Sequence, residues 1–186
     1  MKCPVTPMRP GLTFRPFDEH PEDIPAGDWT IQYKLDDERA ILTPDGQLWN
    51  RFWAPYAKEK AVLFKEHVGE ALRLFPGITL DCALVGVRRP EQVHRLVVLD
   101  LPEVSGLDFG QRLAYIRSAT EGADWDPPLN EGREKVCYLE EYPLGRARIL
   151  LRLSRSAVHL EGVVGRRVGR PYQQGTSNDM FRCRVR

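Results

Sequence analysis

Several classes of protein are excluded by what this chain lacks. Only four of its 186 residues are cysteine and four are histidine. Cys3, Cys82, Cys137 and Cys183 are scattered with no Cys-x-x-Cys pair, which argues against a disulfide scaffold and for free thiols in a reducing compartment. His20, His67, His94 and His159 are equally dispersed, so the spacing of a structural zinc site is missing. No apolar run approaches the ~20 residues that a membrane-spanning helix requires, and residues 1–21 contain no signal-peptide core. The expectation is a cytoplasmic, monomeric protein with no membrane contact. There is no internal repeat and no low-complexity tract.

Charge is nearly balanced overall, at +1, but not along the chain. Residues 151–186 hold eight arginines against Glu161 and Asp179, a local balance of +6 that leaves −5 for the first 150 residues. The carboxy-terminal fifth is therefore the part suited to a polyanion, whose binding weakens with salt. Within it, Arg166, Arg167 and Arg170 are candidates for holding a nucleic-acid backbone.

With 42% hydrophobic residues, the chain can bury one sizeable core and has little room for a second. Prolines at 4, 7, 10, 16, 21 and 25 make residues 1–28 an extended arm packed on the domain formed by residues 29–186. Residues 57–75 place Ala61, Val62, Phe64, Val68, Ala71, Leu72 and Phe75 at near-helical spacing, and Pro76-Gly77 ends the run. Residues 78–87 and 94–101 read as strands, with Pro90 in the turn between them. Residues 108–118 read as a helix capped by Asp108. Residues 124–132, with Trp125 and paired prolines, read as a loop ahead of a strand near 136–142. A basic helix follows over 145–156, with Ile149, Leu150, Leu153 and Ala157 facing inward, and then a strand over 158–164.

The stretch that points to chemistry is residues 30–36. Its alternation places Gln32, Lys34 and Asp36 on one strand face and Ile31, Tyr33 and Leu35 on the other, so one face is a site and the other is core. A lysine with a carboxylate two residues away can serve as a nucleophile, provided that burial or neighbouring cations favour its neutral form.

Lys34-Leu35-Asp36-Asp37-Glu38-Arg39 resembles motif I of the covalent nucleotidyltransferases (ATP-dependent DNA ligases, RNA ligases and mRNA capping enzymes), Lys-x-Asp-Gly-x-Arg. Five further segments resemble later motifs in the family order. Leu48-Trp49-Asn50-Arg51 is similar to motif Ia, Leu80-Asp81-Cys82-Ala83-Leu84-Val85 to motif III, and Val98-Leu99-Asp100-Leu101 to motif IIIa. Glu161-Gly162-Val163-Val164 is similar to motif IV, and Phe181-Arg182-Cys183-Arg184 sits where motif V places a Lys-x-Lys pair. Pro171-Tyr172-Gln173-Gln174-Gly175 and the polar run after it look most like DNA ligases within the superfamily.

Four departures alter the chemistry. Asp37 stands where the family has glycine and adds a charge. Ala83 stands where motif III supplies a carboxylate to the ribose, with Asp81 retained two residues away. Leu99 exchanges aromatic stacking for apolar contact. Arg182 and Arg184 keep motif V's charge but bring a planar fork in place of an ammonium.

The resemblance implies an α+β adenylation domain with antiparallel sheets flanking a nucleotide cleft, peripheral helices and no OB-fold. It implies ATP and Mg2+ as cofactors, with Lys34, Asp36, Glu161, Arg182 and Arg184 catalytic and Glu161 organising the metal. It places Gln32, Arg39, Arg51, Asp81 and Leu99 around the nucleotide, and nicked nucleic acid, DNA before RNA, as partner. The implied activity is sealing of 5′-phosphate and 3′-hydroxyl ends through a lysyl-AMP intermediate, with a further protein in the OB-fold's role. The alternatives are an end-binding domain that does not charge itself, an RNA ligase, or a capping-type nucleotidyltransferase.

Overall fold

The computed structural model describes residues 3, 5–88, 93–125 and 134–185. The turn expected at Pro90 and the paired prolines expected in a loop lie outside the described residues.

Two sheets form the body. One has the order β1 (Arg9–Phe14), β11 (Thr176–Arg184), β10 (Leu160–Arg167), β2 (Trp29–Leu35) and β9 (Tyr142–Pro143). The other has the order β4 (Leu48–Asn50), β3 (Glu38–Leu42), β5 (Leu80–Val85), β6 (Arg95–Asp100), β8 (Val136–Leu139) and β7 (Asp124–Trp125). Pairing is mostly antiparallel, but β1 with β11, β6 with β8 and β7 with β8 run parallel. The expected arm is therefore partly an edge strand, tied to β11 by backbone hydrogen bonds.

The strand alternation of residues 30–36 holds. Ile31, Tyr33 and Leu35 are buried with Trp29, Phe17, Val163, Phe181 and helix α4 (Ala147–Ser156) in a cluster that reaches Ala83, Val85 and Val97 of the second sheet. The opposite face of the second sheet, through Cys82, Leu84, Leu96 and Val98, packs on two helices, α2 (Lys65–Leu74) and α3 (Phe109–Ala119), while the short α1 (Lys58–Leu63) before them buries no residue. Because side chains alternate along β5, Cys82 and Leu84 serve one core while Ala83 and Val85 serve the other.

Asp108 caps α3 as expected. Its carboxylate accepts from Gln111 N at 2.9 Å, and Gln111 Oε1 accepts from Asp108 N at 2.9 Å, a reciprocal capping box. Two helical expectations need correction. The expected 57–75 helix breaks at Phe64, which turns wholly inward against His67 and leaves Val62 and Leu63 exposed. In α4 the inward stripe is Ala147, Leu150, Leu151 and Ser154, the i, i+3, i+4, i+7 set fixed by where the helix starts, so Ile149 faces out at 53% exposure.

Candidate functional site

Register across the first sheet assembles the site. Lys34 pairs with Gly162, and Gly162 pairs with Arg184, giving one row; Gln32, Val164 and Arg182 form the next. Residues in register share a face, so the lysine of β2 and the two arginines of β11 project together although some 150 residues separate them. After Leu35 the chain leaves this sheet, crosses at Asp36 and Asp37, and enters the second sheet as β3. That crossing sets Arg39 on the opposite wall from Lys34. Between the walls lies a cleft of about 540 Å³ lined by Gln32, Lys34, Asp37, Arg39, Glu161, Arg182 and Arg184 among others.

Glu161 reaches this face only through an irregularity. In a regular strand it would point away from its neighbour Gly162, toward α4. A register shift between Leu160 and Gly162 in the pairing with β2 re-aims it. Gly162 has φ +141°, and a side chain there would run into the carbonyl oxygen of Cys183 and the Cα of Arg184. Only glycine permits that approach. As a result Glu161 Oε2 lies 2.5 Å from Lys34 Nζ and 3.2 Å from Arg184 Nε.

Arg88, which no motif flagged, joins the same cluster. Its guanidinium donates to Asp36 Oδ1 at 2.7 Å and lies 3.8 Å from Glu161 Oε1. Asp36 thus engages Arg88, while Lys34 engages Glu161. Two carboxylates, Asp36 and Glu161, hold three cations, Lys34, Arg88 and Arg184.

The second wall rests on a buried polar network. Asp81 is fully buried, accepts both nitrogens of the Arg39 fork, Nε at 2.7 Å, and accepts from the Tyr172 hydroxyl at 2.8 Å. Burial works against the Arg39 charge, and the Asp81 carboxylate more than offsets it, holding the guanidinium above its ordinary range. Tyr172 also accepts from Met8 N at 2.7 Å, so the amino-terminal arm closes this network. Asp81 therefore stands beneath Arg39 and not at the cleft surface, where it was expected to meet the nucleotide. Its position makes it the residue that aims Arg39. Ala83 is likewise fully buried.

At the inner end, Gln32 donates to Leu139 O at 2.6 Å and accepts from Arg166 at 2.6 Å, and Leu99 supplies apolar wall. Arg166, expected on a polynucleotide backbone, is instead turned inward at 6% exposure, with its guanidinium 4.2 Å from the Phe109 ring centre. The reason is alternation: β10 places Arg166 on the same face as Val164. Burial pulls the Arg166 guanidinium down, with Asp100 acting in the opposite direction. Asp100 is itself buried and held by Arg112 Nε at 2.6 Å. Arg167 and Arg170 both lie near Asp179, with Arg167 Nε 3.1 Å away and the Arg167 guanidinium 4.7 Å from the Trp29 ring centre. Arg51 lies at the mouth of the cleft.

Asp37 retains some accessible surface but sits low in the cleft. Desolvation pushes its carboxyl up to about 7, and Lys34, Arg39 and Arg88 only partly counter this.

No protein-family model matches the chain, and no curated protein does. Solved structures do. A Lig E DNA ligase matches with TM-score 0.60 at 17% identity, over 94% of this chain and 68% of that one. Mycobacterial DNA ligase D complexed with ATP and MES matches with TM-score 0.65 at 13% identity, over 97% and 60%. Chlorella virus DNA ligase-adenylate matches with TM-score 0.64 at 15% identity, over 96% and 68%. The chain has the fold of a DNA ligase nucleotidyltransferase domain. It spans 60 to 68% of the length of these ligases. The ligase-like architecture, with two mostly antiparallel sheets around a cleft, is what the six motif segments led one to expect.

Sequence reasoning missed two residues of this ligase-like fold, Arg88 in the cleft and Arg112 beneath it on Asp100. Arg88 carried no local signal, because its partners come from the crossing after β2 and from β10. Arg112 did carry one: it falls at an inward position of α3 between Phe109 and Leu113, where a charge needs a buried partner.

Proposed function

We propose that this chain is the nucleotidyltransferase part of an ATP-dependent polynucleotide ligase, acting on DNA in preference to RNA. The observation that carries the reading is the Lys34 amine held 2.5 Å from Glu161 at the floor of a cleft that also receives Arg182 and Arg184.

In the first step the unprotonated Lys34 amine attacks the α-phosphorus of ATP. A nitrogen–phosphorus bond forms, the bond to pyrophosphate breaks, and the amine sheds a proton that the adjacent Glu161 carboxylate is placed to accept. Arg182 and Arg184 neutralise charge building on the α-phosphate. Arg39, aimed by Asp81, and Arg51 at the mouth hold the outer phosphates, and Arg88 exchanges Asp36 for phosphate oxygen. Gln32 and Leu99 border the base. A polynucleotide 5′-phosphate then takes AMP from Lys34, and a 3′-hydroxyl displaces AMP to close the phosphodiester.

Among the described residues no group of three or more acidic, histidine or cysteine ligands converges. That fits Mg2+, which is usually held by one or two carboxylates together with substrate phosphates. Glu161 is the carboxylate that would hold it, and the ion would neutralise the triphosphate.

A second reading has one observation in its favour. With Ala83 buried and Asp81 sealed beneath Arg39, β5 presents no carboxylate to the cleft, as suits a domain that binds ends without charging itself.

The test is incubation with labelled ATP or GTP and Mg2+ followed by denaturation. Stable label from ATP that is lost in Lys34→Ala supports the ligase reading. Label from GTP alone supports a capping-type enzyme. No label, with retained binding to 5′-phosphate ends, supports the second reading.

A further inference from the structure

The hairpin tip after β4 presents two large aromatics to solvent. Phe52 is 71% exposed and Trp53 51% exposed. Trp53 has φ +62°, a conformation that a bulky residue adopts only at a cost. The tip is nonetheless built firmly. Asn50 Oδ1 accepts from Phe52 N at 2.8 Å and Ala54 N at 3.3 Å, Trp53 N donates to Asn50 O at 3.0 Å, and Asn50 N donates to Ala54 O at 2.8 Å. Neither core packing nor local backbone preference accounts for a tryptophan at this position.

Its surroundings are cationic and lie beside the cleft. The Arg51 guanidinium lies 4.7 Å from the Phe52 ring centre, and Arg51 and Phe52 line the cleft mouth. The chain from 51 to 65 carries Arg51, Lys58, Lys60 and Lys65 against Glu59, and of these Lys60 is tied to Glu38 at 2.7 Å. Aromatic rings interleaved with cations form the surface that stacks on bases while gripping phosphates.

We propose that the Phe52-Trp53 tip is a base-stacking contact for a polynucleotide whose end enters the cleft, with Trp53 as the principal platform. The proposal rests on the reading of the cleft as a site for polynucleotide ends, and it adds a contact away from the reacting phosphates. Stacking is nearly independent of salt, whereas phosphate contacts are not. The two are therefore separable at this tip.

The experiment uses Trp53→Asn, because asparagine accepts positive φ and preserves the turn while removing the ring. Binding of a nicked duplex with a 5′-phosphate is followed by anisotropy across a salt series, with intrinsic tryptophan emission recorded in parallel. Charging from labelled ATP serves as a separate readout. Trp53 does not line the cleft, so charging is expected to be unchanged. The expected result is a loss of roughly 5- to 150-fold in affinity with an unaltered salt slope. A change in emission on binding should be present in the wild type and absent in the variant. The proposal is overturned if the variant binds as tightly as wild type, or if wild type binds no polynucleotide. It is also overturned if emission follows protein concentration alone, which would mark the tip as a contact between copies. Failure of ATP charging with Trp53-dependent binding intact would instead remove the ligase reading and leave this contact standing.

Discussion

Substituting Asp81 with asparagine tests how the second wall of the cleft is held up. The change preserves shape but removes the charge that Arg39 faces, and Asp81 is completely buried while the Arg39 side chain keeps 19% of its surface. Removing one partner of a buried pair costs about 3 to 5 kcal/mol, and the residual solvent access of Arg39 places the expected cost near the lower end, about 3 kcal/mol. For a domain of this length each kcal/mol shifts the melting temperature by about 2 to 4 °C, so Asp81→Asn should melt roughly 6 to 12 °C lower. Urea unfolding of wild type, Asp81→Asn, Arg39→Met and the double variant closes a thermodynamic cycle. The double variant should be markedly more stable than the sum of the single costs predicts, because it no longer buries an unpaired guanidinium. Nucleotide affinity should fall in Asp81→Asn although the residue touches no ligand, since Arg39 loses its aim. Additive costs in the cycle, or a single substitution costing under about 1 kcal/mol, would refute the argument.

Three further outcomes follow from other parts of the structure. The Asp37 carboxyl, held up at about 7 against an ordinary 3.8, stays protonated in the fold over a range where the unfolded chain has released its proton; its stabilising share is complete below about pH 4 and is lost as pH rises toward 7. Asp37→Asn should therefore gain stability relative to wild type increasingly between pH 4 and 7 in parallel urea titrations, and a flat difference would show the carboxyl to be ordinary. Gly162→Ala should unfold the join between β10 and β11 or swing Glu161 out of the cleft, read as a large drop in melting temperature or as loss of the ATP-derived label; a well-folded, fully charging variant would contradict the bulge argument. Burial raises all four thiols, Cys137 to about 12 and Cys183 to about 11, but only Cys3 keeps appreciable accessible surface, so a thiol reagent should modify Cys3 first and the other three only after denaturation.

What the sequence determined by itself was local and periodic. Alternation over residues 30–36 assigned Lys34 to one face and Tyr33 to the other, the Asp108 cap opened α3, and six ordered segments carried the ligase-like fold. These signals survive in one dimension because a strand's two-residue period and a helix cap depend only on neighbours in the chain. Tertiary structure decided everything that needs two strands to meet. The register of β10 turned Arg166 inward, the bulge at Gly162 brought Glu161 onto Lys34, and Asp81 went beneath Arg39. Arg88 gained its role from partners more than 50 residues away in either direction. Inter-strand register, and the burial that follows from it, are set by pairing energies summed over distant segments, and no window of sequence contains that sum.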